Sequence, residues 1–270
     1  MKKIRLSLAS QILMLCLSLI LVISITLSVI FITNINRMTE EDLRALSRET
    51  MLYLNADIQN ALAPAIQMTR LAASFANAAA EDPELLDAVM AGMLATDDSV
   101  FEMYYGTVRS RFEGGFFITA TDWNPYGDNP EWDQVKRPWF TTAMEHPGEL
   151  VVTAPYEDSQ TGKICVTTVH TVQNLRGEIA GVVGADVFLD VLTRIVTARS
   201  ITADGNTILI DGDGLYVVHN DPSLVMTGNF FDDAAKQMPV NRKEMLSGAI
   251  TVNFSGDTYI CSAPVSGTGL

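Results

Sequence analysis

Apolar and polar positions fall into three successive patterns along the chain. From Leu6 to Asn36 there is no charged residue, and QILMLCLSLILVISITLSVIFI (Gln11–Ile32) is almost wholly aliphatic. A membrane-spanning helix needs about 20 such residues. A cleaved leader would have a shorter apolar stretch, about 7 to 15 residues, ending in a small-x-small site, and neither feature is present. The pattern predicts an uncleaved transmembrane helix over residues 9–33. Lys2, Lys3 and Arg5 place the short N-terminus, residues 1–8, in the cytoplasm and the rest of the chain outside the plasma membrane.

The second pattern has helical period. Between Thr39 and about Ala80 there is no glycine, and Leu43, Leu46, Leu54, Ile58, Leu62, Ile66 and Phe75 recur at steps that keep them on one side. A helix over residues 34–80 is expected, a rod of about 60 Å over forty residues, bent at Pro64. So long a stripe is expected to serve both its own domain and a homodimer seam. A short helix follows from EDPELL, where Pro83 and the acids suit a first turn.

The third pattern is short and β-like. SVFEMYYGTV, GGFFITAT, GELVVTAPY, KICVTTVHTV and EIAGVVGADVF are rich in Val, Ile, Thr and aromatic residues, and Gly, Pro, Asn and Asp separate them. They read as antiparallel strands, with turns at Ser159–Lys163 and Asn174–Glu178. LDVLTRIVTA (Leu189–Ala198) is helical again. NTILID, GLYVVH, a helical region over Asp232–Leu246, AITVNFSG and DTYICSAPV then repeat the order strand, strand, helix, strand, strand. The fold class is therefore α+β, with a larger module over residues 81–200 and a smaller one over 201–270. The chain stops at SGTGL without a further strand, so the second module is expected to be completed in a longer protein.

Composition adds one asymmetry. All 32 acidic residues follow Arg37, against 14 of the 18 basic ones, so residues 38–270 carry a formal −18. Such a surface repels nucleic acid and anionic headgroups. Cys16, Cys165 and Cys261 form no disulfide framework or zinc motif, although a Cys165–Cys261 bridge is open. Asp211–Gly214 (DGDG) lacks the ligands of a calcium loop and reads as a hairpin turn. His146, His170 and His219 have no nucleophile partner, and no nucleophile elbow, phosphate loop, metal motif or cofactor motif is present. A binding protein without cofactor or metal is expected, not an enzyme.

Candidate binding groups concentrate in KRPWFTTAMEHPGELVVTAPYEDS (Lys136–Ser159). Arg137 offers a planar fork for a carboxylate. Trp132, Trp139 and Phe140 offer apolar walls, and Tyr156 a wall with a hydroxyl. Asp158 and Asp186 are acceptors for an ammonium group. Asp186 ends the aliphatic run AGVVGAD, where a buried charge is costly unless paired. An internal ion pair of Arg137 with Asp158 or Asp186, with the rings as ordinary core, explains the same residues without a ligand.

RPWF, then APYEDSQTGK about fifteen residues later, then GVVGADVFL some thirty residues further, resemble the distal module of double-Cache domains. These are extracytoplasmic sensors of bacterial chemoreceptors and sensor kinases. The resemblance spans nearly the whole chain and implies two PAS-like modules in tandem on the long helix, with a small ligand in the distal one. It also implies a second membrane span leading to an output domain, as in a methyl-accepting chemotaxis protein, a histidine kinase or a diguanylate cyclase. By the family's amino-acid-binding pattern, Arg137 and Trp139 would hold a carboxylate, and Tyr156, Asp158 and Asp186 an ammonium group. Phe140 and Trp132 stand where tyrosines are usual, which points to a bulkier or more apolar ligand. An anchored extracellular structural or enzymatic ectodomain is the rival from a different class.

Overall fold

In the computed structural model, residues 8–79, 82–121, 123–202, 204–236, 238–255 and 258–265 are described. They divide into two compact units, one up to Glu49 and one from Thr50 onward. The chain is α+β with antiparallel sheets, as its periodicities require.

A single helix, α1 (Leu8–Ala79), contributes to both units. Within the first unit its apolar side chains, Leu13, Leu19, Ile23 and Ile30 among them, are exposed. The helix contains a window of mean hydropathy 2.9, none of it buried, and is long and apolar enough to cross a membrane. Ser18, Thr26 and Thr33 satisfy their hydroxyls within the helix by donating to carbonyls three or four residues back. Arg37 and Glu41 form an exposed pair at 2.9 Å. Pro64 lies inside α1 without dividing it. It removes one backbone donor, and Leu62 and Ala65 beside it are fully buried in the second unit's core.

The second unit takes up α1 from Thr50 and adds α2 (Pro83–Leu94), which Asp82 caps by accepting Leu85 N–H at 3.0 Å. Strands β1 (Glu102–Thr107) and β2 (Phe117–Thr119) follow, then the one-turn helix α3 (Pro125–Asp128) and α4 (Pro138–Glu145). Next come β3 (Val151–Val152), β4 (Tyr156–Glu157), β5 (Ile164–Gln173) and β6 (Ile179–Phe188). These strands make one antiparallel sheet in the order β2-β1-β6-β5-β3, with β4 also on β5. The expected turns join β4 to β5 and β5 to β6, and Gly162 and Gly177 supply their positive φ of 70° and 79°.

Alternation sorts this sheet into two faces. Met103, Tyr105, Val166, Val172, Val183, Ala185 and Val187 join the buried stripe of α1, from Leu54 through Ile58, Leu62 and Ala72 to Ala76. Tyr104, Val169 and Val182 point the other way and pack under Trp139, Phe140 and Ala143 of α4. Because both faces are covered, β6 reads as a continuous apolar run, the property that set AGVVGAD apart in the sequence.

Helix α5 (Leu189–Thr197) leads away, and after it Arg199 pairs with Asp57 of α1 through both Nε and Nη2. The hairpin β7 (Leu209–Ile210) and β8 (Tyr216–Val218) turns at the DGDG segment, where Asp211 accepts from the N–H groups of Asp213 and Leu215. The helical region expected over Asp232–Leu246 holds two short helices, α6 (Phe230–Ala234) and α7 (Arg242–Met245). Pro239 has no N–H and disfavours helical backbone at Met238, so a new helix starts only at Asn241, which caps α7. Strands β9 (Thr251–Ser255) and β10 (Thr258–Ser262) form a second hairpin. The two hairpins are separate sheets rather than one among the described residues. Leu209, Val217, Val218 and Val265 extend the core shared by α1 and the first sheet. No disulfide joins Cys165 and Cys261, which closes the question of a bridge between them.

Candidate ligand-binding site

The sheet face under α4 carries a row of polar residues. Cross-strand register sets Glu102 of β1 opposite Asp186 of β6, and Asp186 opposite Thr167 of β5. Directly opposed residues in an antiparallel pair share a face, with Cβ atoms about 5 Å apart. Thr121 donates to Glu102 Oε2 at 2.5 Å at one end of the row, and Thr167 donates to Asp186 Oδ1 at 2.5 Å at the other. Tyr104, two residues along β1, lies over Gly184 and donates its hydroxyl to Asp186 Oδ1 at 2.7 Å. The missing side chain at Gly184 is what admits that ring, because a Cβ there would stand 2.3 Å from Tyr104 Cε2. Tyr156 of β4 completes the cluster, 2.6 Å from Thr167 Oγ1 and 3.2 Å from the Tyr104 hydroxyl.

Asp186 is 2% exposed, and every partner on it is a neutral hydroxyl. Desolvation, opposed by the Thr167 and Tyr104 hydrogen bonds and reinforced by the charges of Asp158 and Glu102, pushes its carboxyl up to about 7. Glu102 is also buried and raised, again chiefly by desolvation, although Thr121 and the Met103 N–H bond to it. The same burial, with Asp186 alongside, raises the Tyr104 and Tyr156 hydroxyls well above the ordinary phenol value. This end of the site is thus negative in potential and short of a cation.

Arg137 stands at the other end. It is the N-cap residue of α4, and Pro138 in the first helical position fixes that start. Its side chain makes no capping bond. The guanidinium reaches instead to β4, donating from Nη2 to the Glu157 carbonyl at 3.2 Å. Among the described residues no acid pairs with it, so the internal ion pair with Asp158 or Asp186 is not formed. The positive end of the α4 dipole adds to its field.

Aromatic rings surround the polar row. The Trp139 ring lies 4.7 Å from Tyr104, and Phe117 lies 4.7 Å from Trp132 and 6.1 Å from Trp139. Trp123 and Tyr126 each stand 5.9 Å from Trp132. Trp132 donates its indole N–H to Ser159 Oγ at 3.3 Å, tying the segment before α4 to the turn after β4.

The seven residues singled out in the sequence do converge on this region, in unequal ways. Arg137, Trp139, Tyr156 and Asp186 face the sheet or the elements around it, and Trp132 closes the ring of aromatics. Asp158 is buried, but its Oδ1 closes its own turn by accepting from Thr161 N at 2.8 Å and Thr161 Oγ1 at 2.6 Å. Phe140 packs into the α4 core against Trp139 and is 4% exposed. Sequence reasoning passed over Tyr104, Glu102, Thr167, Thr121 and Phe117. A signal existed for two of them: in SVFEMYYGTV the single acid and the first tyrosine are two apart, hence on one strand face.

Comparison with known proteins bears on this arrangement. A Cache domain family model matches residues 31–270. The methyl-accepting chemotaxis protein PscA of Pseudomonas syringae pv. tomato is 29% identical over 189 residues, 69% of this chain and 27% of the relative. The chain thus spans about a quarter of that relative's length. The ligand-binding domain of the Pseudomonas fluorescens chemoreceptor CtaA, solved with L-valine, is similar with a TM-score of 0.60 and 25% identity, over 83% of this chain and 94% of that one. The ligand-binding domain of the Pseudomonas aeruginosa amino acid chemoreceptor PctB, solved with L-Arg, shares the fold at a TM-score of 0.64 and 21% identity, over 85% and 91%.

Proposed function

The chain belongs to the Cache domain family, and from that membership we propose that it is the extracytoplasmic sensor region of a transmembrane chemoreceptor that binds an amino acid between α4 and the sheet. Arg137 takes the α-carboxylate in a charge-assisted, two-pronged contact. Asp186, whose side chain among the described residues is hydrogen-bonded through Oδ1, offers its other oxygen to the ammonium group, and Tyr156 flanks it. Trp132, Trp139 and Phe117 enclose the side chain, which favours an apolar one. Phe140 supports Trp139 from behind, and Asp158 adds negative field while holding the turn.

The carrying observation is the separation of charge: among the described residues, an arginine with no acid partner at one end and a buried aspartate with no basic partner at the other. A zwitterion matches both poles at once. CtaA, solved with L-valine, is a relative in which such a ligand is seated.

The rest of the reading follows the helix. Residues 9–33 cross the membrane, residues 34–80 carry the signal and a homodimer seam, residues 81–200 form the membrane-distal PAS-like module, and residues 201–270 belong to a membrane-proximal one. The role is binding and signalling, not catalysis. Isothermal titration of the chain in lipid nanodiscs with the protein amino acids and a set of organic acids tests the proposal. One or more amino acids should bind, with affinity reduced at least about tenfold by Arg137→Ala, the loss of a charged hydrogen bond of about 1.5 to 3 kcal/mol. Binding by none of them, or binding indifferent to Arg137→Ala, overturns it.

A further inference from the structure

Glu102 has no assigned part in the site, yet it is the residue placed directly against Asp186. The two residues sit opposite each other in the β1–β6 ladder, 3% and 2% exposed, and their side chains share one face of the sheet. Their partners are hydroxyls and backbone N–H groups: Thr119, Thr121 and Met103 for Glu102, Tyr104, Tyr156 and Thr167 for Asp186. Two desolvated carboxylates side by side repel each other, and such a pair ordinarily keeps a proton.

The other titratable groups facing the pair do not relieve it. Asp158, from the turn after β4, adds negative charge. Tyr104, Tyr156 and Cys165 are neutral, held so by burial. Lys163 places its ammonium over the Phe188 ring, 4.8 Å from the centroid, and Arg137 is turned to the Glu157 carbonyl. Among the described residues no ion pair reaches either acid.

We infer that Glu102 acts through Asp186 as a positioning residue for ligand charge: the ligand-free Glu102–Asp186 pair carries one proton, and the ammonium group of the bound amino acid takes its place, so that binding releases a proton. In the exchange a carboxyl O–H bond breaks, the proton passes to solvent, and the ligand's N–H donors fill the vacated position. The pair goes from −1 to −2 while the ligand brings +1, so the pole's net charge is unchanged. Glu102 thereby sets both the pH range of sensing and the requirement for an ammonium group, because a hydroxyl in its place cannot neutralise the second carboxylate. The inference rests on the amino-acid reading above.

The test is titration calorimetry of the full chain with whichever amino acid binds in that screen, run in phosphate and in imidazole, whose ionisation enthalpies differ widely. The buffer dependence of the heat counts protons. Release of about half a proton is expected at pH 7, rising towards one at pH 6, since the Asp186 carboxyl titrates at about 7. Glu102→Gln, which keeps an acceptor for Thr121, should lower the count at pH 7 and move the affinity profile to lower pH, and Glu102→Asp should restore both. A merely structural Glu102 would alter stability and leave the proton count alone. An amino acid that binds with no proton release at either pH overturns this inference while leaving the proposed function intact; absence of all amino-acid binding overturns both.

Discussion

Replacing Asp186 by Asn should make the ligand-free protein more stable at neutral pH while removing its ligand response. The folded carboxyl titrates at about 7 against an ordinary 3.8, so the native state binds more protons than the unfolded one between these values. Stability contributed by this group is therefore present at low pH and lost as pH rises through about 7. At about 1.36 kcal/mol per unit, the whole window is worth on the order of 4 kcal/mol, of which about 2.5 kcal/mol falls between pH 5 and pH 8. Asn is neutral at every pH and offers a carbonyl oxygen to the Tyr104 and Thr167 hydroxyls that now bond Oδ1. Each kcal/mol moves Tm by about 2 to 4 °C in a unit of this size. The gap in Tm between Asp186→Asn and the unmodified chain should therefore be about 5 to 10 °C wider in favour of the variant at pH 8 than at pH 5. Thermal melts followed by far-UV circular dichroism, at constant ionic strength and without amino acids, measure it. An equal gap at the two pH values, or a smaller one at pH 8, would refute the claim that the buried carboxyl is held up by desolvation.

Three further outcomes follow from the geometry. Gly184→Ala places a methyl 2.3 Å from Tyr104 Cε2, so the ring must turn away from Asp186. Amino-acid affinity should fall at least about tenfold, the order of one charged hydrogen bond, while the far-UV spectrum stays folded; unchanged affinity in calorimetry counts against the Tyr104 contact. Leu62→Ala, at a fully buried position of α1, should cost about 2 to 5 kcal/mol in urea unfolding through the cavity it leaves, and a cost under about 1 kcal/mol contradicts the packing of α1 on the sheet. Asp57→Ala breaks the pair with Arg199, whose side chains are 38% and 41% exposed, and should cost no more than about 1 kcal/mol in the same assay.

Which parts of this architecture were legible in the sequence depended on the range of the interaction behind them. Helical period marked α1, and the charge at the end of AGVVGAD marked Asp186, because both are local departures from what a buried or exposed segment ordinarily contains. The crowding of Arg137, Trp139 and Tyr156 in one stretch was likewise visible. Register was not. Nothing in SVFEMYYGTV tells that Glu102 pairs with Asp186 rather than with a residue two places along, and so the acidic partner and the Tyr104 hydroxyl went unread. Asp158 was legible as an acid near the site but not as one committed to its own turn, since that depends on the conformation of Ser159–Gly162. The helical region over Asp232–Leu246 was legible, and its division into α6 and α7 has a local reason in Pro239, which cannot continue a helix through Met238.

Successive residue pairs of the sheet face the proposed ligand and α1 in turn. Thr167 and Asp186 form one cross-strand pair, and Thr168 and Ala185 form the next. The first pair faces the proposed ligand. The second faces α1: the fully buried Thr69 of that helix lies 2.6 Å from Thr168 Oγ1 and donates to the Thr168 carbonyl at 3.2 Å, while Thr168 Oγ1 donates to the Ala185 carbonyl at 3.4 Å. A shift of the β5–β6 ladder that lets Asp186 meet an ammonium group must therefore carry Thr168 and Ala185 with it, because each is peptide-bonded to a residue of the ligand pair. In a close-packed interior such a shift is passed on rather than absorbed. Thr69 is one place on α1 that such a shift would reach, and apolar packing alone would let the helix slide past the sheet more easily than a pair of buried hydroxyls, whose bonds must be remade at each new position. The ligand's leverage on the helix is bounded by its differential affinity for the two arrangements. A pole that changes protonation when filled is one source of that difference.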